Sequence, residues 1–441
     1  MKKQIRACLR PSASCSGEIM PPAVSTRSSV RRSLSPSPSE VSRPELLPRD
    51  KWIGELDLAA FKADVGALGK TLRAAQGPAD VAHLKKIMLW ANTCLVLGVA
   101  TMGLSPKYIF PALLLSTATF ARWTMIAHHT CHGGYDRIDL TKRHNRFTFA
   151  VGGLWRRATD WFDWMLPEAW NVEHNNEHHY HLGELSDPDL LENNMQSVRD
   201  DASTPLWVKY ANVFFLMATW KWLYYAPNTW KQLQLQRMRA SGQEVPADAA
   251  TMPLLLTSLG DTKSFGSWLE RGRLFSEVLL PYFIARFLLT PLPVLLLFGK
   301  TPFLNAVANL LLAELFTNVH SAIAIMTNHA GNDLYRFATG CKAKSGTFYM
   351  RQVISSSNFW CGGDLNDFMH GWLNYQIEHH VWPDLSMLSY QKGHPLMKAI
   401  CEKHGVPYVQ QNVFTRCLRT WEIMVGTADM RKFPLEWERP L

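Results

Sequence analysis

The sequence predicts an all-α integral membrane protein. Four transmembrane helices form two hairpins, and a helical cap on the cytoplasmic or stromal side carries clusters of histidines. Three observations lead there. Long apolar blocks come in two close pairs, each split by a short polar turn. Basic residues crowd the segments outside the pairs. The histidines gather in three dense groups on one side of the blocks.

Four blocks approach the roughly 20 apolar residues that a bilayer span needs. They are 87–104 (IMLWANTCLVLGVATMGL), 108–127, 274–299 and 303–326. The turns between them, Ser105-Pro106-Lys107 and Lys300-Thr301-Pro302, are too short for anything but a return of the chain. One block alone would equally suit a buried helix of a soluble protein; two matched pairs point to a membrane. Charges inside the blocks are few, Arg122, Arg286 and Glu314 among them, and such groups face the protein interior or snorkel to the interface. The 17 tryptophans suit the headgroup level, where an apolar ring with one polar handle is at home.

If each pair is a hairpin, residues before 87, between 127 and 274, and after 326 share one side. Residues 128–160 alone hold Arg137, Lys142, Arg143, Arg146, Arg156 and Arg157, whereas each hairpin turn holds one lysine. That bias puts the bulk of the chain on the cytoplasmic or stromal side. The block 207–226 is aromatic but broken by Lys209 and Lys221, and reads as an interfacial helix with its lysines at headgroup level. Residues 236–252 and 340–347 read as surface linkers.

The ends differ from this middle. Residues 1–50 form a Ser-, Arg- and Pro-rich leader with nine Lys/Arg against four Asp/Glu. It has too little apolar surface to fold alone and no apolar stretch of a secretory signal. Its composition fits a transit peptide, plastid ahead of mitochondrion, with a disordered cytoplasmic tail as the plain alternative. Residues 51–86 read as amphipathic or soluble helices and 401–441 as a C-terminal tail. The eight cysteines show no CxxC and no regular spacing, so reduced thiols are expected, and Cys131 is read as a small buried residue. The net charge of +9 has a membrane explanation, and no nucleic-acid partner is expected.

The histidines carry the chemistry. His128 and His132, in AHHTCHGGYD, are four apart and share a helix face, with His129 as a competitor. His174 and His178, in HNNEHH, repeat that spacing, and His179 follows. Neighbouring helical positions point about 100° apart, so His178-His179 and His379-His380 can each reach two different ions. His329 follows the fourth block. Imidazole suits Fe, Cu, Zn and Ni, so ligand type alone does not choose the metal. There is no HExxH, GxSxG, GxGxxG or P-loop.

The boxes HHTCH (128–132), HNNEHH (174–179) and QIEHH (376–380) resemble those of membrane fatty acid desaturases, and the resemblance spans roughly residues 85–400. The run HGWLNYQIEHHVWPDLS is its most specific part. Its glutamine-first third box is similar to front-end and related acyl-lipid members. The resemblance implies a desaturase domain over 87–400 with a non-haem centre of two Fe ions. Such a centre uses O2 and two supplied electrons to remove two hydrogens from an acyl chain. By position it implies His128, His132, His174, His178, His179, His329, His379 and His380 as ligands. Gln376 is expected to hydrogen-bond near the metal, His370 to support it or ligate, and His320 to be a weaker candidate. Asp187, Asp189, Glu184 and Asp384 could orient imidazoles. Many front-end members carry a fused cytochrome b5 domain with His-Pro-Gly-Gly, and no HPGG occurs here. An external donor, ferredoxin or cytochrome b5, is therefore expected.

The expected substrate is an acyl-lipid in the bilayer, and the expected place a multi-pass protein of a plastid membrane, with the endoplasmic reticulum as alternative. The nearest rival reading is a hydroxylase of lipids, sphingoid bases or carotenoids on the same scaffold. More distant rivals are a zinc-dependent membrane hydrolase and a histidine-rich receptor.

Overall fold

The computed structural model describes residues 44–249, 251–252, 254–256 and 269–438, and these are mostly helical. The predicted leader falls, but for its last few residues, outside them. Asp50 is already buried in the fold, where its Oδ1 accepts the Tyr335 hydroxyl at 2.5 Å.

After a short turn, Trp52–Glu55, two longer helices come first among the described residues. α1 (Leu58–Ala75) starts at Asp57, whose carboxylate accepts from the Ala59 and Ala60 amides at 2.9 and 3.0 Å. These are donors that a helix start leaves unpaired. α2 (Pro78–Thr101) starts with proline at its first position, where no amide is needed. Three helices among the described residues are long and apolar enough to cross a membrane: Pro78–Thr101, Arg271–Phe298 and Lys300–Asn328. The second predicted block is not among the three. It forms α3 (Phe110–Ala121), which continues through a π-helical stretch, Arg122–Ala127, into His128–Cys131. Arg122 interrupts its apolar run and donates to Asn92 Oδ1 at 2.8 Å.

Past the first histidine box come a short helix α4 (Leu154–Asp160), then α5 (Leu206–Trp220), a π-helical stretch Lys221–Tyr225, and α6 (Ala226–Ser241). Two sequence expectations change here. Lys221 does not sit at headgroup level: its side chain is fully buried, 3.0 Å from Asp163 Oδ1. Lys209 is buried too and donates to the Arg199 carbonyl at 3.1 Å. A lone sequence block does not reveal partners 58 and 10 residues away. The expected linker 236–252 is likewise helical as far as Ser241, because Lys231, Gln232 and Leu235 on the same helix are buried.

α7 (Arg271–Phe298) and α8 (Lys300–Ile325) follow, joined at Gly299, whose φ of 84° suits a residue without Cβ. α8 packs on α3, α5 and α7. The charges expected to face inward do so. Arg286 Nε lies 3.0 Å from Glu314 Oε1, and Glu314 also receives the Tyr282 hydroxyl at 2.7 Å and the Trp164 indole at 3.0 Å. A buried charge with three partners avoids most of its desolvation cost.

The cap is completed by α9 (Gly346–Ile354), α10 (Asp364–Met369), α11 (Gln376–Val381), α12 (Met387–Lys403) and α13 (Val413–Val425). α9, α12 and α13 are each capped by a side chain, from Ser345, Ser386 and Asn412. The expected tail beyond 401 is folded into this cap. Arg416 of α13 is buried, holds Asp333 at 2.7 Å and donates to the Ala330 carbonyl at 2.8 Å. Residues Tyr335–Arg336 (β1) and Arg431–Lys432 (β2) pair in parallel. The described cysteines are free, and Cys131 is buried.

Candidate metal centre

Each histidine box is delivered by a helix with an irregularity nearby. The first follows the π-helical stretch Arg122–Ala127, and the second, but for its last histidine, lies within another, Asn171–His178. π-bulges concentrate at functional sites because they re-aim side chains without ending the helix. In the second box this re-registers the histidines. His174 meets His179, five residues on, with Nε2 atoms 3.3 Å apart, while His178 turns to other partners. His329 sits where α8 tightens into a 3-10 turn, Met326–Asn328, and stops. Asn328 Nδ2 ties that turn to the Leu373 carbonyl at 2.8 Å. Just before the third box, Gly371 (φ 69°) lies against α3, where a Cβ would come within 2.7 Å of Phe120 and Thr124.

The result is two adjoining groups of imidazoles. His128, His132, His174, His179 and His379 form the first, each offering a nitrogen within 4.8 Å of the others. His178, His329 and His380 form the second by the same measure. The adjacent pairs His178-His179 and His379-His380 each contribute one member to each group. His174, His178 and Asp189 also lie within 4.8 Å of one another, where the groups meet.

The inward nitrogens are poorly served by protein. His128 Nε2 lies 3.0 Å from His174 Nε2, and the Nε2 atoms of His132 and His379 are buried without a partner. Burial, with neighbouring imidazoles, holds His128, His132, His174, His179, His329, His379 and His380 well below the ordinary histidine value, so these rings are neutral. Unpaired buried lone pairs are costly, and a bound cation would remove that cost. The donor set thus fits a metal.

Four of the outward nitrogens are held, whereas His179 Nδ1 is buried without a partner. Behind His128 Nδ1 stands the Thr124 carbonyl at 3.2 Å, behind His380 Nδ1 the Gln352 Oε1 at 3.2 Å, and behind His379 Nδ1 the Tyr390 hydroxyl at 3.3 Å. His178 Nδ1 faces Asp187 Oδ1 at 2.9 Å. Burial pulls the His178 pKa down, but the Asp187 charge and hydrogen bond outweigh it, and His178 alone of the eight is raised. Acceptors at Nδ1 put the proton there and leave Nε2 free to ligate.

Gln376 stands beside the second group, its amide nitrogen 2.8 Å from His329 Nε2 and 3.2 Å from His380 Nε2. His320 and His370 join neither group. His320 Nε2 bonds the Met369 carbonyl at 2.7 Å and its ring stacks on Phe120, while His370 Nδ1 bonds the Asn366 carbonyl at 2.8 Å. His129 turns to the Met125 carbonyl at 2.8 Å. Of the carboxylates expected to orient imidazoles, Asp187 does so directly. Glu184 instead holds His181 and Arg351, and Asp384 holds Arg73 and Arg137.

Sequence reasoning missed Thr124, Gln352 and Tyr390, which act from behind and carry no motif. It also passed over Glu378, inside the third box. Glu378 is wholly buried and accepts from Asn358 Nδ2 at 2.8 Å and the Tyr408 hydroxyl at 2.6 Å. A carboxylate next to paired histidines on a buried helix was the available signal.

A cavity adjoins both groups. His128, His174, His178, His329 and Gln376 line one side, and Trp123, Trp220, Tyr225, Ile325 and Met326 line much of the rest. Trp123 lies five residues before His128, across the π-helical stretch. Trp220 is anchored by its indole to the Asn318 carbonyl of α8 at 3.0 Å. The cavity therefore runs from the imidazoles toward the apolar helices, with walls suited to a hydrocarbon.

Comparison with known proteins bears on this arrangement. The family model described as Fatty acid desaturase matches residues 105–412. The chain is 23% identical over 375 residues to the NADPH-dependent stearoyl-CoA 9-desaturase of Mycobacterium tuberculosis, covering 84% of this chain and 80% of that protein. It is 27% identical over 116 residues to the acyl-lipid (9-3)-desaturase of Physcomitrium patens, covering 26% and 21%. It is 44% identical over 62 residues to the fatty acid desaturase 2-like protein FADS2B of Mus musculus, covering 14% and 12%. No solved structure matches it.

Proposed function

Because the chain belongs to the fatty acid desaturase family, and is thereby an oxidoreductase of that class, we propose that it introduces a double bond into a lipid-linked fatty acyl chain. The reaction consumes O2 and two electrons from a separate donor, ferredoxin or cytochrome b5. The observation that carries this reading is the pair of buried imidazole groups beside an apolar-walled cavity. We assign His128, His132, His174, His179 and His379 to one iron and His178, His329 and His380 to the other, with Gln376 as a hydrogen-bonding neighbour.

An unactivated C–H bond has no acidic proton, so a general base cannot open it; iron held there would, with O2 and the two supplied electrons, provide the two successive one-electron oxidations that remove two hydrogens, the oxygen leaving as water. The protein's own residues do the rest. The Thr124 carbonyl, Asp187, Gln352 and Tyr390 hold protons on Nδ1 and aim Nε2 inward. The cavity wall of Trp123, Trp220 and Tyr225 shields a buried methylene from water, and the interlocked rings limit how the chain can bend there. We read the chain as a multi-pass membrane protein whose second predicted block is a fourth span, paired with α2 as α7 is with α8. The leader's composition favours a plastid membrane, with the endoplasmic reticulum as alternative.

The test is expression in a host of defined lipid composition, with double-bond mapping of its fatty acids and metal analysis of the purified protein. New unsaturation together with about two irons per chain is expected, and His379→Ala or His178→Ala should abolish it while the protein still inserts. A hydroxylated product would favour the hydroxylase reading. Zinc with full activity in the absence of O2 would overturn both.

A further inference from the structure

The segment after the first histidine box has a surface that the reaction does not use. From Asp136 to Asp160 the chain carries six Lys/Arg against three Asp, and of the six Arg157 is buried and Arg137 is paired with Asp384. Set among these cations are exposed large apolar side chains: Leu140 at 89%, Trp155 at 78%, Leu154 at 60% and Phe147 at 48%. The segment is nonetheless built. Phe149 and Ala150 are buried, and His144 is held by Asp139 at 3.0 Å.

The parts belong to one patch. Arg143 and Arg156 both clasp the buried Asp160, so one carboxylate serves two guanidiniums. Arg156 also donates to the Thr148 carbonyl at 3.0 Å, beside Phe147. Its depth is fixed as well. Arg157, on the same short helix as Leu154 and Trp155, donates to the Glu277 carbonyl at 2.8 Å. Glu277 lies near the start of α7, one of the helices apolar enough to cross a membrane. Leu154 and Trp155 are two or three residues from that anchor, about 3–5 Å along a helix. With α7 across the bilayer they would stand where hydrocarbon gives way to headgroups, on the side that the excess of basic residues favours as cytoplasmic or stromal. Exposed aromatic and leucine side chains interleaved with cations are what an anionic lipid surface attracts, the rings entering the acyl boundary and the cations meeting phosphate.

We propose that residues 137–157 are a recognition surface for the anionic phospholipid headgroups of the membrane in which α7 sits. The inference rests on the membrane placement of α7 and not on the chemistry of the metal centre.

Full-length protein is reconstituted in nanodiscs of phosphatidylcholine alone or of an equal mixture with phosphatidylglycerol. Amide hydrogen exchange is then followed by peptide mass spectrometry. Peptides within 138–156 should exchange at least about tenfold more slowly in the anionic discs, since each cation near such a surface adds appreciable attraction. The difference should shrink at high salt. Peptides of α13 should not change and report on folding. Lys142→Ser combined with Trp155→Ser should remove most of the difference. Equal exchange in the two lipids would overturn the proposal, as would slowing that appears only on addition of an acidic redox protein.

Discussion

His178 and Asp187 meet in the interior, Nδ1 to Oδ1 at 2.9 Å, with both side chains almost wholly buried. A carboxylate in that place fixes the ring's orientation and its proton, and strengthens the opposite nitrogen as a donor. Asp187→Ala should lower metal affinity about 10–100-fold. Metal content after graded chelation, compared with the native protein, measures this, and unchanged retention would show that Asp187 only fills space.

The two imidazole groups are unequal, five against three. Removing His329 leaves the smaller group with two histidines, fewer than the three protein ligands that an open catalytic site commonly keeps. His329→Ala should therefore lose about half of the bound metal, and His132→Ala less per site, because four imidazoles remain. Elemental analysis of the purified variants tests the contrast; equal losses would argue against two separate sites.

The Arg286–Glu314 pair lies between α7 and α8, with Glu314 fully buried. Breaking it from one side strands a charge, so Arg286→Met should cost about 3–5 kcal/mol. Arg286→Met with Glu314→Leu should recover much of that loss, because a well-packed apolar pair is often neutral. Thermal unfolding in one detergent compares the three proteins. A double variant no better than the single would mean that the pair's hydrogen bonds to Tyr282 and Trp164 dominate.

Asp384 gives a dependence on acid. Burial works to raise its carboxyl, but hydrogen bonds and charge from Arg73 (2.7 Å) and Arg137 (3.1 Å) bring it down to about 2. A folded value below the unfolded one stabilises above pH ~4, and that contribution is lost as pH falls toward about 2. Its size is roughly 2 kcal/mol. Thermal stability should fall between about pH 5 and pH 3, and Asp384→Asn should start lower and fall less steeply. An unchanged slope in that variant would remove Asp384 as the cause.

Much of this was legible before any coordinates. Length and apolarity mark the helices around α2, α7 and α8, and the 100° step between neighbouring positions explains how His379 and His380 serve different groups. What stayed hidden depends on partners far along the chain. The buried Lys221 needs Asp163, 58 residues earlier, and Arg416 needs Asp333. The π-helical stretch through Asn171–His178 is also invisible to spacing rules written for 3.6 residues per turn, which pair His174 with His178 and not with His179. Asp384 looked like a ligand-orienting carboxylate because it follows the third box; in space the two arginines reach it first.

α8 runs out of the apolar region directly into His329, with no loop between. One histidine of the smaller group is thus set by a helix long and apolar enough to cross a membrane, and not by the cap. Shortening α8 by a single residue would swing His329 by about 100° and draw it down by about 1.5 Å, whereas lengthening the surface turn at 340–347 would leave it in place. On the proposed function, the height at which an acyl chain is read would be a ruler marked on the helix itself.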